Sequence, residues 1–375
     1  AGKGLQMMST AGLPSEGVGS AQNEALARRF CCTFLLAVLA LCALAYGIIA
    51  GFDPYGVTRG AGELGPLMDI NQRYVYPQIV RSGRYSSAVF GTSTVRLLDP
   101  QRLDTLLGGR FANLAMNAAT PWEQMQIADL FLRHTPKPQV LVFGIDAPWC
   151  DHDADSEARR LTPRPFPPWL YDDDRLNDWA YLFNSKNLEI ALRVAAYRLG
   201  LMDERIRGDG YEVFVPPEER YDLARARMHI WQGREPRQIT PVVPAETVSE
   251  AERASWRFPA LAWLDAMLAR APAETRKMIV LPPVHVAVQP RPGSRAVAVE
   301  TACKAALVDI AKRRGALLVD FRRSSPVTRE DSNYWDPMHY RIGIARRIED
   351  MLAAAMNGTT EAEDGFFVTP ASPAW

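Results

Sequence analysis

The segment Gln139-Val140-Leu141-Val142-Phe143-Gly144 decides the fold of this chain. Four consecutive apolar residues that end at a glycine are typical of a strand that is buried on both faces. Strands of this kind belong to parallel sheets whose two faces are covered by helices. The segment therefore predicts an α/β fold.

Four further apolar runs have the same character, and longer helix-like stretches separate them. The other predicted strands are residues 87–90, 110–116, 277–281 and 316–321, and the predicted helices are residues 121–134, 247–270, 295–314 and 341–356. Strands that alternate with helices indicate βαβ units in a parallel sheet. Because crossovers are right-handed, the carboxyl ends of the strands share one edge, where such sheets bind their ligands.

The composition limits the class of protein. The chain has 375 residues, of which 47% are apolar, and its 43 basic and 43 acidic residues leave no net charge. A nucleic-acid-binding domain usually carries a basic excess, so we expect no nucleic-acid partner. The apolar fraction also excludes a collagen-like or wholly disordered chain.

Residues 30–52 contain no charged side chain and are long enough for a membrane anchor. A helix of this length rises roughly 34 Å, which is enough to cross the hydrocarbon core. Arg28 and Arg29 precede the segment, whereas no cation follows it before Arg59. The positive-inside rule therefore predicts a single-pass protein with a cytoplasmic N-terminus and a translocated globular domain. The location we expect is the bacterial inner membrane, with the globular domain in the periplasm. The alternatives are a cleaved signal peptide, which Ala43-Leu44-Ala45 would suit, and a buried hairpin helix.

We expect a disordered tail at 1–27, a transmembrane anchor at 28–52, an α/β domain at 53–357 and a C-terminal tail at 358–375. Residues 147–246 interrupt the rhythm of strands and helices with acidic and proline-rich runs. We interpret them as an insertion, or cap, over the edge of the sheet. An amphipathic helix is predicted near residues 176–199 within this insertion.

The cysteines do not decide whether the protein lies in an oxidising or a reducing compartment. Cys31, Cys32 and Cys42 lie in or at the anchor, and only Cys150 and Cys303 lie in the rest of the chain. A disulfide between these two would suit an oxidising periplasm, but the sequence does not say that they meet. No Cys-x-x-Cys pair suggests zinc and no glycine-rich phosphate loop follows a strand, so we expect neither a metal nor a cofactor.

Two elements at opposite ends of the predicted sheet carry residues that suit nucleophilic catalysis. Ser93 follows the first strand in Gly91-Thr92-Ser93, where its hydroxyl would reach the sheet edge beside a helix N-terminus. Asp336 stands three residues before His339, so it can orient the imidazole while the other ring nitrogen takes a proton from a serine. Each element has a structural alternative, a turn with an N-cap for the first and a helix-capping pair for the second.

Taken together, the two elements resemble the SGNH (GDSL-like) hydrolase superfamily, in which Gly-x-Ser follows the first strand and a C-terminal Asp-x-x-His completes a triad. Residues 113–119 stand where that superfamily has its glycine block, and Gly144-Ile145-Asp146 stands where it has Gly-x-Asn. The anchor makes the chain most similar to the membrane-anchored branch, which includes the D-alanyl-transfer protein DltD and proteins of exopolysaccharide O-acetylation. The resemblance covers roughly residues 87–356 and leaves the insertion unmatched.

The resemblance implies a flavodoxin-like parallel sheet flanked by helices and a catalytic triad. Ser93 would be the nucleophile, His339 the general base and Asp336 the residue that orients it. The backbone N–H of Ser93 would be the first donor to the oxyanion.

The remaining oxyanion donors depart from the family pattern. Ala118 stands at the expected glycine, and its N–H donates only if the backbone angles allow a side chain there. Asp146 stands at the expected asparagine, where a carboxylate repels the oxyanion unless it is protonated or turned away. Asn113 and Asn117 are the candidates to replace the missing donor, whose loss typically costs about 10²–10³ in rate.

Three other residues are weighed for the substrate site. His285 follows the fourth strand, so it has a route to the sheet edge, although a hydrogen-bonded loop histidine is the favoured interpretation. Trp122 begins a helix near the second block and is a candidate to line the site. Arg96 lies one turn beyond Ser93, and a solvated arginine is the favoured interpretation.

The leading hypothesis is an anchored serine esterase or O-acyltransferase that works through an acyl-enzyme. The resemblance implies cell-surface polysaccharide as the substrate and a membrane-bound O-acyltransferase as a partner. The alternative is a catalytically weak, SGNH-like structural subunit of a membrane complex. Hydrogen-bond contact between Ser93 and His339 is the observation that separates the two.

Overall fold

The computed structural model describes residues 17–373 and contains one six-stranded sheet. Its strands are β1 (Ser87–Phe90), β2 (Phe111–Asn113), β3 (Val140–Gly144), β4 (Arg276–Leu281), β5 (Ala316–Asp320) and β6 (Val368–Ala371). They lie in the order β2-β1-β3-β4-β5-β6. The first five are parallel, whereas β6 runs antiparallel to β5. The predicted α/β class and parallel sheet are confirmed.

Helices make up most of the remaining secondary structure. They are α1 (Gly17–Phe52), α2 (Gln72–Arg81), α3 (Pro100–Leu107), α4 (Pro121–His134), α5 (Glu157–Arg160), α6 (Asp178–Tyr181), α7 (Ser185–Arg198), α8 (Leu223–Ile230), α9 (Glu250–Ser255), α10 (Pro259–Arg270), α11 (Arg295–Arg314), α12 (Pro326–Arg329) and α13 (Ile342–Met356). The predicted helix at 247–270 is divided into α9 and α10. Trp256 is extended after α9, and Pro259 at the start of α10 disfavours helical backbone angles at Phe258.

Helices cover both faces of the sheet, so each strand contributes to two cores. Leu141 and Phe143 of β3 pack in the core that contains α4, α10 and α11. Val140 and Val142 point to the other face and pack in the core that contains α3 and α13. The unbroken apolar run of β3 follows from burial on both sides.

The N-terminal helix α1 has the length and composition of a membrane span. Within residues 17–373 it is the one helix that meets these criteria, and the stretch from Gln22 to Phe52 is almost entirely unburied. Residues 17–27 are helical, contrary to the predicted disordered tail, and residues 1–16 of that predicted tail lie outside the described part. The structure therefore agrees with a single-pass anchor.

The C-terminal segment 358–375 is more than a tail, because it contains β6. Phe366 and Phe367, just before this strand, are buried against the sheet. This strand is short and polar in part, since Thr369 and Pro370 interrupt its apolar pattern. Its pairing with β5 covers an edge that would otherwise expose unpaired backbone groups.

The insertion at 147–246 contains short helices and loops and contacts both the anchor and the domain. Its longest helix, α7, packs against α1. Thr162 of the insertion approaches a fully buried ion pair between Arg73 of α2 and Glu123 of α4. Glu123 also accepts from the backbone N–H of Thr120 and so closes a capping box at the start of α4.

Loss of this buried ion pair on one side is expected to destabilise the protein strongly. The Arg73→Met substitution leaves Glu123 buried without a counter-charge, which costs about 3–5 kcal/mol. The double variant with Glu123→Gln should recover much of that loss, because it buries no isolated charge. Urea unfolding of the full chain in detergent, followed by tryptophan fluorescence, gives the free energy of unfolding of the single and the double variant. A cost below about 1 kcal/mol for Arg73→Met would contradict the expectation.

Candidate active site

Ser93, His339 and Asp336 form one chain of hydrogen bonds at the carboxyl edge of the sheet. The distance from Ser93 Oγ to His339 Nε2 is 2.8 Å, and the distance from His339 Nδ1 to Asp336 Oδ2 is 2.6 Å. Ser93 and the two side chains of the pair are partly exposed. The three residues that the sequence analysis singled out are therefore in contact with one another and accessible from solvent.

The turn that presents Ser93 depends on a close approach between β1 and β3. Gly91 has a φ of +153°, and a Cβ on it would lie 2.5 Å from Val95 Cγ2 and 3.2 Å from the carbonyl oxygen of Gly144. Thr92 then caps a short 3₁₀ turn that begins at Ser93. A side chain at position 91 would push this turn away from β3, so glycine is required there.

The loop that carries His339 is fixed by its own side chains and by the serine turn. Asp336 Oδ1 accepts from the N–H groups of Met338 at 2.8 Å and His339 at 2.9 Å. The next residue, Tyr340, donates its hydroxyl to the carbonyl of Thr94 at 2.6 Å. This last bond ties the histidine loop directly to the residue after Ser93.

The environment of Asp336 favours its ionised form. Burial by itself would raise the pKa of this carboxyl, but the His339 imidazole and two backbone N–H groups together hold it below its ordinary value. An ionised Asp336 accepts from Nδ1–H of His339, which leaves the lone pair of Nε2 directed at the Ser93 hydroxyl. This tautomer is the one that accepts a proton from serine.

The insertion contributes to this site a residue that the sequence analysis missed. The Phe214 ring meets the His339 imidazole edge to face at 5.2 Å between centroids, and the Arg96 guanidinium lies 4.8 Å from the Phe214 centroid. Arg96 is buried in an ion pair with Glu212 of the insertion, so the interpretation of a solvated arginine is wrong. No local pattern in the sequence links residues 212–214 to the triad.

Two backbone N–H groups, those of Ser93 and Ala118, are the candidate oxyanion donors. Within the described residues, neither the N–H of Ser93 nor that of Ala118 donates to another group of the protein. Ala118 is exposed and has a φ of +51°, the left-handed conformation that favours glycine. Its N–H is therefore compatible with the donor role that the resemblance assigns to a glycine.

Asn113 and Asn117, the two candidate replacement donors, differ in burial and in hydrogen bonding. Asn113 is fully buried, and its amide donates to the carbonyls of Val95 at 3.0 Å and Leu98 at 2.9 Å. It cannot act as an oxyanion donor, and the proposal of that role was wrong; instead it positions the turn after Ser93. Asn117 accepts from Arg73 through its carbonyl at 3.2 Å, and its partly exposed side chain makes no hydrogen bond within the described residues.

Asp146 lies next to the serine turn, and its pKa is raised above the ordinary value of an aspartate. Its Oδ2 accepts from the Thr92 hydroxyl at 2.6 Å, while its Oδ1 is buried and has no hydrogen-bond partner within residues 17–373. Burial raises the pKa of this carboxyl, although the Thr92 hydrogen bond opposes that effect. A protonated Asp146 does not repel an oxyanion, and it has a hydrogen-bond donor of its own.

His285 is a structural residue and not a substrate contact. Its side chain is fully buried, Nδ1 accepts from the N–H of Ala287 at 3.1 Å, and Nε2 lies 3.1 Å from Asp331 Oδ1. Burial lowers the pKa of His285. Its backbone N–H donates to the carbonyl of Pro337 at 2.8 Å and so helps to fix the loop that carries Asp336 and His339.

Trp122 packs against the insertion. Its half-buried ring meets Phe166 of the insertion at 5.4 Å between centroids, and Phe166 stacks on Tyr171 at 4.4 Å. The contact fastens the insertion to the start of α4. The prediction that Trp122 lines the substrate site is not met by any contact with the triad.

A cavity of about 700 Å³ is lined by Asp146, next to the serine turn, and by Met338, the residue before His339, but not by the three triad residues themselves. Val284 and Val288 supply apolar surface, and Arg322 supplies positive charge. Volumes of roughly 300–1,000 Å³ are usual for sites that bind small ligands. The site thus combines a serine that is hydrogen-bonded to a base with backbone N–H groups that are free of protein partners in the described part of the chain. No protein-family model, no curated protein and no solved structure matches this chain.

Proposed function

We propose that this protein is a membrane-anchored, SGNH-like serine esterase or O-acyltransferase that acts on cell-surface polysaccharide. The observation that carries the proposal is the hydrogen-bonded chain from Ser93 through His339 to Asp336. The strand order β2-β1-β3-β4-β5 supports it, since this is the flavodoxin-like order that the resemblance implies. The residues that follow β1, β2 and β3 meet at one edge, as the catalytic blocks of such a sheet must.

The proposed reaction forms and then breaks an ester on Ser93. His339 Nε2 takes the hydroxyl proton as Ser93 Oγ attacks the carbonyl carbon of an ester, and the N–H groups of Ser93 and Ala118 bind the oxyanion. His339 returns that proton to the departing alcohol, which leaves an acyl-Ser93 ester. Water or a sugar hydroxyl then loses its proton to His339 and attacks this ester, which releases an acid or an acylated glycan and restores Ser93.

The compartment and the partners belong to the same proposal. The disulfide between Cys150 and Cys303 favours an oxidising compartment, and Arg28 and Arg29 favour a cytoplasmic N-terminus. The globular domain would then face the periplasm of a bacterium. A membrane-bound O-acyltransferase that delivers the acyl group is the partner that the family resemblance suggests.

Covalent labelling tests the proposal. A fluorophosphonate reacts only with a serine whose hydroxyl is activated by a base, so full-length protein in detergent should be labelled, and peptide mass mapping should place the label on Ser93. Absence of label in folded protein, both in detergent and in native membranes, would favour the structural-subunit alternative. Label on another serine would overturn the assignment of the nucleophile.

Asp146 is expected to make the activity fall as the pH rises through its raised pKa. Because burial raises its pKa, the acid form persists above the range of an ordinary aspartate and is lost only as the pH rises further. Deprotonation places a negative charge beside the oxyanion and removes a donor, which typically costs about 10²–10³ in rate. Asp146→Asn, whose amide does not titrate, should retain activity at the alkaline end, and Asp146→Ala should be weak at every pH.

The measurement is the pH profile of p-nitrophenyl acetate hydrolysis, with the buffer rate subtracted. Thr92→Val is a useful companion, because it removes the hydroxyl that donates to Asp146 Oδ2. Identical profiles for the wild type and Asp146→Asn would show that the carboxyl has no part in the alkaline limb.

A further inference from the structure

The insertion holds the membrane anchor over its last turns. The Tyr46 ring of α1 lies 6.4 Å from the Trp179 ring and 6.3 Å from the Phe183 ring, centroid to centroid. The Tyr46 hydroxyl donates to the Trp179 carbonyl at 3.3 Å, and the Arg198 guanidinium lies 5.3 Å from the centroid of the Phe52 ring. The insertion therefore packs along α1 and not only at its end.

The position of Tyr46 along the anchor sets the depth of this contact. The uncharged segment begins at Phe30, directly after Arg29, and the sixteen-residue rise from Phe30 to Tyr46 is about 24 Å. The hydrocarbon core is about 30 Å thick. With Phe30 at one boundary, Tyr46 lies roughly 6 Å inside the opposite boundary, and a tilt of the helix only increases that depth. Side chains that touch Tyr46 consequently reach the bilayer.

Large apolar side chains in the same segment as Trp179 and Phe183 are exposed. Leu176, Trp179, Tyr181 and Phe183, which we term the α6 patch, have exposed fractions of 83%, 37%, 54% and 51%. A contiguous exposed patch of large apolar residues marks an interaction surface in a folded domain. Tryptophan and tyrosine are the residues enriched where a protein meets the membrane–water interface.

We infer that the α6 patch inserts into the headgroup–acyl boundary of the same phospholipid bilayer that α1 spans. Continuity with the anchor identifies the occupant, because the patch lies against Tyr46 at a depth where lipid surrounds the helix. The domain is then held at two points, by α1 and by the α6 patch, and cannot turn freely about the anchor. The inference rests on the membrane-spanning role of α1 and is independent of the acyl chemistry.

Lipid quenching of tryptophan fluorescence tests the insertion. Full-length protein is reconstituted into phosphatidylcholine vesicles that carry bromine atoms either near the headgroup or near the end of the acyl chain. Residues 17–52 contain no tryptophan, so α1 adds no signal. Quenching by the shallow bromine should fall about twofold or more in Trp179→Phe. The matched control is Trp263→Phe on α10, outside the insertion, which should quench like the wild type.

A second variant keeps the test independent of Trp179 itself. Leu176→Glu changes the most exposed residue of the patch, so folding should be unaffected, and the charge should lift the patch from the lipid and reduce shallow quenching. Unchanged quenching by the shallow bromine in both variants overturns the inference. Efficient quenching by aqueous acrylamide in these vesicles that is lost in Trp179→Phe also overturns it. Carbonate extraction of the same vesicles reports separately on whether α1 spans the bilayer.

Discussion

Replacement of Ser93 by alanine is expected to abolish both fluorophosphonate labelling and turnover of p-nitrophenyl acetate. The Ser93 hydroxyl is hydrogen-bonded to His339 Nε2 at 2.8 Å, and no acyl-enzyme forms without it. Loss of a triad nucleophile or base typically reduces the rate by about 10³–10⁶. His339→Ala should reduce turnover to a similar level. Because the triad acts as one unit, the double variant should be hardly worse than either single variant.

The controls separate loss of chemistry from loss of structure. Ser255→Ala changes an exposed serine at the end of α9 and should retain the activity of the wild type. Asp336→Asn keeps a side chain of the same size next to His339 but removes its charge, so an intermediate loss is expected. Turnover by Ser93→Ala that equals that of the wild type would show that the hydrolysis occurs elsewhere.

Removal of the disulfide should produce the second large effect, on stability. Cys150 and Cys303 are bonded, with 5.8 Å between their Cα atoms, and are 153 positions apart in the chain. A cross-link that closes a loop of this length restricts the unfolded state strongly, and its loss typically costs about 2–5 kcal/mol. Cys150→Ala/Cys303→Ala is therefore expected to unfold at a lower urea concentration than the wild type.

Reductant offers an independent measurement of the same bond. Wild-type protein in dithiothreitol should unfold like the double variant, whereas the double variant itself should not respond. Cys42→Ala is the matched control, since Cys42 is a free cysteine in the anchor and its replacement should leave the transition unchanged. If the urea midpoint of the wild type does not change in dithiothreitol, the disulfide contributes little to stability.

The strands could be predicted well because their signal is local. Burial on both faces requires an apolar residue at each successive position, and this requirement is visible in a run such as residues 140–143. β6 escaped prediction because it lies at an edge and its burial is partial, so Val368 and Thr369 carry no clear pattern. The break between α9 and α10 was visible in principle, since Pro259 marks it.

The candidate site could be predicted in its residue types but not in its surroundings. Ser93 and the Asp336–His339 pair stand out because serine chemistry needs a base and an orienting carboxylate. Asn113 was a candidate oxyanion donor and His285 a candidate substrate contact, yet both are fully buried and form hydrogen bonds with the backbone of the site. An asparagine that caps a turn and one that binds an oxyanion have the same sequence, and only the positions of their hydrogen-bond partners distinguish them.

The sequence by itself determined the elements that depend on neighbouring residues: the apolar strands, the length of α1, and a serine and an Asp-x-x-His at strand ends. Only the tertiary structure decided which distant residues meet. It brought Ser93 to His339 across 246 positions, joined Cys150 to Cys303, and buried Asp146. The physical reason is that solvent exclusion and hydrogen-bond partners are supplied by segments far away in the chain, and these set the protonation state of a carboxyl and the role of an amide.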